Sequence, residues 1–268
     1  MVRDLARISA IARRDLHIEG SYRLRYVNRL IEVAITGAVV YQLSKLIVDS
    51  PQLARYDGGY FEFALVGLAV MTVARLGIST FNSNIVREQT QGTLEVLMAT
   101  PTRVAVLLAG SFVFPLALTA IDLVLYSVGI VAFGDGVRPI GLLYTVPLLA
   151  LTLASFCAFG VMGAALVVLT KRGDPLTGPI TALTSILSGA VFPVSTFPLV
   201  LRVLARVFPA YYGIHGLREA LLTDSGWRRI APDIVVLVVF DIALLPLSVA
   251  LFSRSLTAAR RTGTLSNF

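Results

Sequence analysis

Charged residues are scarce in this sequence. Of its 268 residues, 15% are charged and 56% are hydrophobic. An average soluble domain carries about 25% charged residues, and a soluble fold of this size could not cover so much apolar surface with so few charges. The charges also cluster in short blocks between long apolar runs. These features exclude a soluble protein and predict an integral membrane protein.

Cysteine and histidine are scarcer still. The single cysteine, Cys157, excludes an internal disulfide, and His17 and His215 lie far apart without companions at ligand spacing, so no metal site is expected. No G-x-x-x-x-G-K-[ST] pattern occurs, so no phosphate-binding loop is expected. Clusters typical of a membrane-embedded enzyme are also missing. The net charge of +7 is explained by membrane orientation and anionic lipid rather than by nucleic acid.

Six apolar segments approach or exceed the roughly 20 residues that a transmembrane helix needs. They cover residues 26–48, 60–81, 104–133, 140–170, 176–197 and 232–252. Pro115 and Pro147 are predicted bend points in the long third and fourth segments. The sequence therefore predicts an all-α membrane protein with a six-span transmembrane domain over residues 26–252.

Lysine and arginine predict the orientation. With both termini in the cytoplasm, fourteen of these residues lie on the cytoplasmic side and seven outside, as the positive-inside rule favours. We therefore expect a multi-pass protein of the inner (plasma) membrane with a cytoplasmic tail over 253–268. In residues 1–25, Leu5, Ile8, Ala12 and Leu16 recur at helical spacing, which predicts an amphipathic helix in the inner interface.

The connection over residues 198–231 contains two short helical patterns, neither long enough to span. Its aromatic and arginine side chains suit the headgroup region, so we expect re-entrant helices on the external side. An external cap and a part in the substrate path both remain open.

The loop over residues 82–103 contains a short predicted helix. Thr93 is suited to cap it, Glu95 lies in its first turn and Pro101 follows it. Its apolar ridge consists of Leu94, Leu97 and Met98. This ridge packs either on the protein's own helices or in a groove of another protein.

Several charged residues fall inside the predicted spans, among them Glu32, Arg75, Asp122 and Asp241. Glu32 and Arg75 each lie about 9 Å from the inner ends of their spans, so a pair between them is geometrically possible, with snorkelling of each side chain to the interface as the alternative. Asp122 and Asp241 lie nearer mid-membrane and are candidates for a hydrated cavity or a polar network. The alternative for all four is a purely structural role.

Two strings resemble the type 2 ABC-transporter permeases, the exporter class with six spans per half. The first is Arg87-Glu88-Gln89-x-x-Gly92-Thr93-Leu94-Glu95-x-Leu97-x-x-Thr100-Pro101. The second is the run Ser188-Gly189-x-x-Phe192-Pro193, followed by Phe197-Pro198, Phe208-Pro209 and Leu217-Arg218. The Gly-Thr-Leu-Glu loop is closest to the drug-exporter branch of that class.

The resemblance implies a non-catalytic permease subunit that forms a dimeric path with a second, identical or homologous, permease. Two copies of a separate ATPase subunit would bind ATP and Mg, and this chain would bind no cofactor. The coupling element would be formed by Glu88, Gly92, Thr93, Leu94, Glu95, Leu97 and Met98. The re-entrant segment would include Phe192, Pro193, Pro198, Pro209 and Arg218. The substrate implied is a lipophilic drug-like compound, a lipid or a lipid-linked glycan.

An ion-coupled secondary transporter is the alternative. That class predicts inverted repeats and charged residues near mid-membrane. The sequence shows no convincing repeat, and Asp122 and Asp241 are the residues that approach the middle.

Overall fold

The computed structural model describes residues 23–47, 53, 56, 59–90, 104–134, 141–170, 177–224 and 226–261. Within these residues it contains eight α-helices, one 3-10 turn and no β-strand, which confirms the all-α class. The helices are α1 (Arg23–Leu46), α2 (Gly59–Thr90), α3 (Val104–Phe133), α4 (Leu142–Thr170), α5 (Thr177–Leu187), α6 (Leu199–Ala205), α7 (Pro209–Leu222) and α8 (Trp227–Arg261). The 3-10 turn is Val194–Thr196.

Four of the described helices are long and apolar enough to cross a membrane. They cover Gly59–Arg87, Phe112–Phe133, Leu142–Leu169 and Trp227–Ala259, and they correspond to the second, third, fourth and sixth predicted spans. The predicted bend points, Pro115 and Pro147, lie inside α3 and α4, which continue past them. Helices can tolerate proline at membrane depth because neighbouring groups satisfy the freed carbonyls.

The other two predicted spans differ from the prediction. Helix α1 has 24 residues but carries Arg23, Arg25, Arg29, Glu32 and Lys45, so it does not match the four in apolarity. Helix α5 has eleven residues and is about 16 Å long, roughly half the thickness of the hydrocarbon core. The prediction of a continuous helix over 176–197 is therefore wrong. The helix ends at Leu187 because Gly189 takes a positive φ of 73°, which favours glycine, and proline residues follow at 193 and 198.

Helix α2 is the centre of the bundle. Its buried side chains pack mainly against α3, α4 and α7, and α8 packs against α4 and α7. The largest members of the shared core include Phe63, Leu148, Ile214 and Leu237. Helices α2 and α4 approach closely at two glycines: a Cβ added to Gly160 would lie 2.2 Å from the carbonyl oxygen of Gly77. The absence of a side chain at Gly160 thus allows α2 and α4 to pack in direct backbone contact.

Helix α1 lies at the edge of the bundle. It contacts α2 and α3. On its other side, apolar residues such as Ile31, Ile35 and Val39 are at least half exposed. Because α1 does not pack tightly along its whole length, open space remains among α1, α2 and α3.

Candidate functional site

A polar chamber of about 600 Å³ lies among α1, α2 and α3. It is placed toward the end of the bundle where α2 ends and α3 begins. Its charged lining consists of Arg29 and Glu32 from α1, Arg75 and Arg87 from α2, and Asp122 from α3. Uncharged polar side chains complete it: Asn28, Thr36, Thr72, Ser79, Thr80, Ser83, Asn84, Thr119 and Tyr126. Charged residues in such number at a helix interface are costly in an apolar environment, so this chamber is the candidate functional site.

An ion pair between Arg29 and Asp122 closes one side of the chamber. The Arg29 Nε donates to Asp122 Oδ1 at 2.6 Å, and Arg29 Nη2 bonds to Oδ2. This two-pronged arrangement is the strongest geometry available to an arginine and a carboxylate. The Asp122 side chain is 6% exposed and that of Arg29 is 29% exposed, so the pair joins α1 to α3 across a partly buried contact.

The predicted pair between Glu32 and Arg75 is also present, but it is looser. Arg75 Nη1 lies 3.9 Å from Glu32 Oε1, and both side chains are about 70% exposed. An exposed pair of this kind adds little stability. Both groups therefore remain available to a ligand in the chamber.

Asp241 lies elsewhere, between α8 and α4. Ser155 Oγ donates to Asp241 Oδ1 at 2.6 Å, and the carboxylate is buried. Asp241 Oδ2 has no hydrogen-bond partner among the described residues. Of the two carboxylates predicted to lie near mid-membrane, Asp122 lines the chamber and Asp241 belongs to a separate polar contact.

Arg218 in α7 forms a second polar centre, on the opposite side of α2. Its guanidinium donates to the carbonyl oxygens of Phe63, at 2.8 and 3.1 Å, of Gly189 at 2.9 Å and of Ala190 at 2.6 Å. The Arg218 Cζ also lies 3.3 Å from the centre of the Phe63 ring, a cation–π contact. Sequence reasoning expected the arginine side chains of this segment at the headgroup level, whereas Arg218 is 4% exposed.

This buried arginine explains the break after α5. The carbonyls of Gly189 and Ala190 have left the helix, and Arg218 satisfies both of them. Burial lowers the pKa of the Arg218 guanidinium to about 9, so the group keeps its charge at neutral pH. Non-helical backbone is stable at membrane depth when it is buried and hydrogen-bonded by protein in this way.

The other residues of the predicted re-entrant segment mark the ends of short elements. Pro193 precedes the 3-10 turn, Pro198 precedes α6, and Pro209 is the first residue of α7, positions that suit its fixed φ. Phe192 is 58% exposed. Helices α6 and α7 correspond to the two short helical patterns predicted over 198–231.

A polar cluster around His215 was not predicted from the sequence. His215 Nδ1 lies 2.7 Å from Asp233 Oδ2, and its Nε2 lies 3.8 Å from Glu219 Oε1. His215 and Glu219 are four positions apart on α7, but Asp233 lies on α8, 18 positions after His215. Short sequence spacing therefore could not group the three residues. No metal-binding group of histidine, cysteine and carboxylates is found in the part of the chain that the structure describes.

Most of the predicted coupling element lies outside the described residues. This applies to Gly92, Thr93, Leu94, Glu95, Leu97 and Met98. Glu88 is in the last turn of α2, without a described side chain. What the structure does describe is the attachment of this loop, because α2 leads into it and α3 leads out of it.

Comparison with known proteins supplies the family. The profile described as "ABC-2 family transporter protein" matches residues 24–250. The chain is also similar to Nodulation protein J of Rhizobium leguminosarum bv. trifolii, with 27% identity over 169 residues. That match covers 62% of this chain and 64% of the relative's length. Because the family profile spans most of the sequence, from α1 into α8, the chain belongs to the ABC-2 family of transporter proteins.

Proposed function

We propose that this chain is the permease subunit of an ATP-driven exporter, powered by a separate ATPase subunit. The observation that carries the proposal is the mechanical continuity of α2. This helix runs without interruption for 32 residues, and one of its faces lines the polar chamber. Its last turn contains Glu88 of the predicted coupling element.

The proposed coupling follows from that geometry. Helices α2 and α3 both line the chamber, and they are joined to each other through residues 91–103. Helix α2 is fixed against α4 by the Gly77–Gly160 contact. A partner ATPase that displaces the Leu94, Leu97 and Met98 ridge would therefore move α3 and α1 against α2, and the chamber would change shape.

The proposed membrane arrangement keeps six crossings. Helix α1 would cross with Arg29 and Glu32 directed to the chamber, where Asp122 pairs with Arg29. The segment over 177–197 would cross as a helix followed by irregular chain, whose carbonyls Arg218 satisfies. Both termini would then be cytoplasmic, and α6 and α7 would lie on the external side as re-entrant helices.

We further propose a dimer of permeases, with two ATPase subunits on the cytoplasmic face. Helix α1 supports this arrangement, because its outward apolar residues leave it without a protein neighbour on that side in the single chain. The proposed substrate is a lipophilic drug-like compound, a lipid or a lipid-linked glycan. No cofactor is proposed on this chain, and ATP with Mg would bind the partner.

The test is capture of the intact complex from native membranes. Tagged full-length chain should bring down an ABC ATPase whose hydrolysis is stimulated in the complex. Leu97→Glu should abolish the stimulation, since a charge would replace the apolar contact. A matched control, Leu199→Glu, changes a leucine of α6 that is 72% exposed and should leave the stimulation intact. A permease that moves cargo on an ion gradient with no ATPase bound would instead identify a secondary transporter.

A further inference from the structure

An apolar groove of about 470 Å³ continues from the polar chamber along the same three helices. Its walls are Leu30, Ala34, Gly37, Ala38 and Tyr41 of α1, Phe61 and Leu65 of α2, and Leu125, Val128, Gly129 and Phe133 of α3. Val33 and Tyr126 line both spaces. The chamber and the groove therefore adjoin each other at Val33 and Tyr126, and together they present a charged end and an apolar end.

The two ends of the seam between α1 and α3 are held by different contacts. The Arg29–Asp122 pair holds the charged end. At the far end the Tyr41 ring lies 5.9 Å from the Phe133 ring and 5.7 Å from the Phe61 ring. Between these contacts, small residues keep the helices from filling the groove, and a Cβ added to Gly37 would meet no atom within 4 Å.

The dimensions of the groove match one leaflet of hydrocarbon. From Leu30 to Tyr41 the α1 wall is about 16 Å long, and half of a hydrocarbon core is about 15 Å. In the proposed orientation the charged end faces the cytoplasmic side, where lipid headgroups of the inner leaflet lie. A lipid chain would then extend from its headgroup toward mid-membrane along α1 and α3.

The charged end favours an anionic headgroup. Three arginines and two carboxylates line the chamber. The Arg29–Asp122 pair is self-contained, whereas Arg75 is 68% exposed and lies 3.9 Å from its carboxylate. Arginine is the side chain best suited to bind phosphate oxygens, so the exposed guanidinium of Arg75 is suited to an anionic phosphate.

We infer that the chamber and groove bind one membrane lipid, with its anionic phosphate headgroup at Arg75 and an acyl chain along Gly37 and Gly129. The inference deepens the proposed function, because it assigns a lipid class to the chamber that the ATPase would move. It depends on the proposed function for its orientation in the membrane. The binding itself is independent of any ATPase.

Photo-crosslinking tests the site without nucleotide. Full-length chain is placed in phosphatidylcholine bilayers that contain a trace of phosphatidylglycerol with a diazirine in its acyl chain, and adducts are mapped by mass spectrometry. Adducts should concentrate on α1 and α3 around residues 33–38 and 125–129. The same probe with a choline headgroup should label these helices less, and free glycerol phosphate should not compete.

Two variants separate the tail from the headgroup. Gly37→Leu fills the middle of the groove and should reduce the adducts about tenfold or more, and Gly37→Ala should reduce them less. Gly178→Leu is the matched control, because its Cβ is also unobstructed but lies on α5, away from the groove. It should leave labelling unchanged.

Arg75→Gln tests the headgroup. It should reduce phosphatidylglycerol labelling about two- to fivefold and leave phosphatidylcholine labelling unchanged. Arg228→Gln, an exposed arginine at the start of α8, should change neither. Equal labelling by the two headgroups, adducts spread over the outer surface, or no effect of Gly37→Leu would each overturn the inference. None of these results would bear on ATPase capture, so the site and the proposed function can fail separately.

Discussion

The two arginine–carboxylate pairs of the chamber should differ sharply in strength, although they join neighbouring helices at similar depth. Arg29 and Asp122 form a two-pronged contact, and the Asp122 side chain is 6% exposed. Glu32 and Arg75 are 3.9 Å apart, with both side chains about 70% exposed. We expect a coupling free energy of about 2 kcal/mol for the first pair, as for buried hydrogen bonds to charged groups. For the second we expect less than about 0.5 kcal/mol.

Double-mutant cycles measure both couplings. For the first pair the variants are Arg29→Gln, Asp122→Asn and the double variant, and for the second they are Glu32→Gln, Arg75→Gln and the double variant. The free energy of unfolding is obtained by titrating the purified full-length chain with a denaturing detergent and monitoring its unfolding by circular dichroism. Each single variant of the first pair leaves the partner charge unpaired. The double variant should therefore cost less free energy of unfolding than the sum of the costs of the two single variants.

The same experiment can refute the reasoning. Equal couplings for the two pairs would mean that burial and two-pronged geometry do not set their strength. A coupling below about 0.5 kcal/mol at Arg29 and Asp122 would remove this pair as the contact that holds α1 to α3. The groove described above would then lack its fixed end.

Three further predictions address the rest of the fold. Arg218→Lys should lower the free energy of unfolding by about 3 kcal/mol or more, because an ammonium cannot reproduce four hydrogen bonds to three carbonyls and the contact with an aromatic ring. Gly67→Ala should also destabilise, by about 1–3 kcal/mol, since the new Cβ would lie 2.1 Å from the Ala190 carbonyl oxygen; detergent titration checks both. Ser155→Ala should cost about 1–3 kcal/mol by removing the donor to Asp241, and the same change in an Asp241→Leu background should cost much less.

The long helices were predictable because their signal is local. An apolar run of sufficient length needs no knowledge of its neighbours, so α2, α3, α4 and α8 correspond to their predicted spans. The Glu32–Arg75 pair could be anticipated from the span boundaries, since equal depth in adjacent antiparallel spans brings two side chains together.

What the sequence did not reveal depends on long-range contacts. Arg29 was counted as a cytoplasmic charge because nothing near it in sequence indicates its partner, which is 93 residues away. The end of α5 at Leu187 was hidden in an apolar run that continues to Phe197. The structure explains the break by a side chain from α7, since Arg218 bonds the freed carbonyls 28 and 29 residues earlier.

The central claim is that nucleotide hydrolysis on a partner chain moves cargo through the chamber of this permease. The most direct test reconstitutes the captured complex in vesicles and follows a fluorescent phosphatidylglycerol between leaflets. We predict movement with ATP and Mg, no movement with an ion gradient alone, and loss of movement in Gly37→Leu with Gly178→Leu unaffected. Lipid movement driven by the ion gradient in vesicles that lack the ATPase would contradict the account.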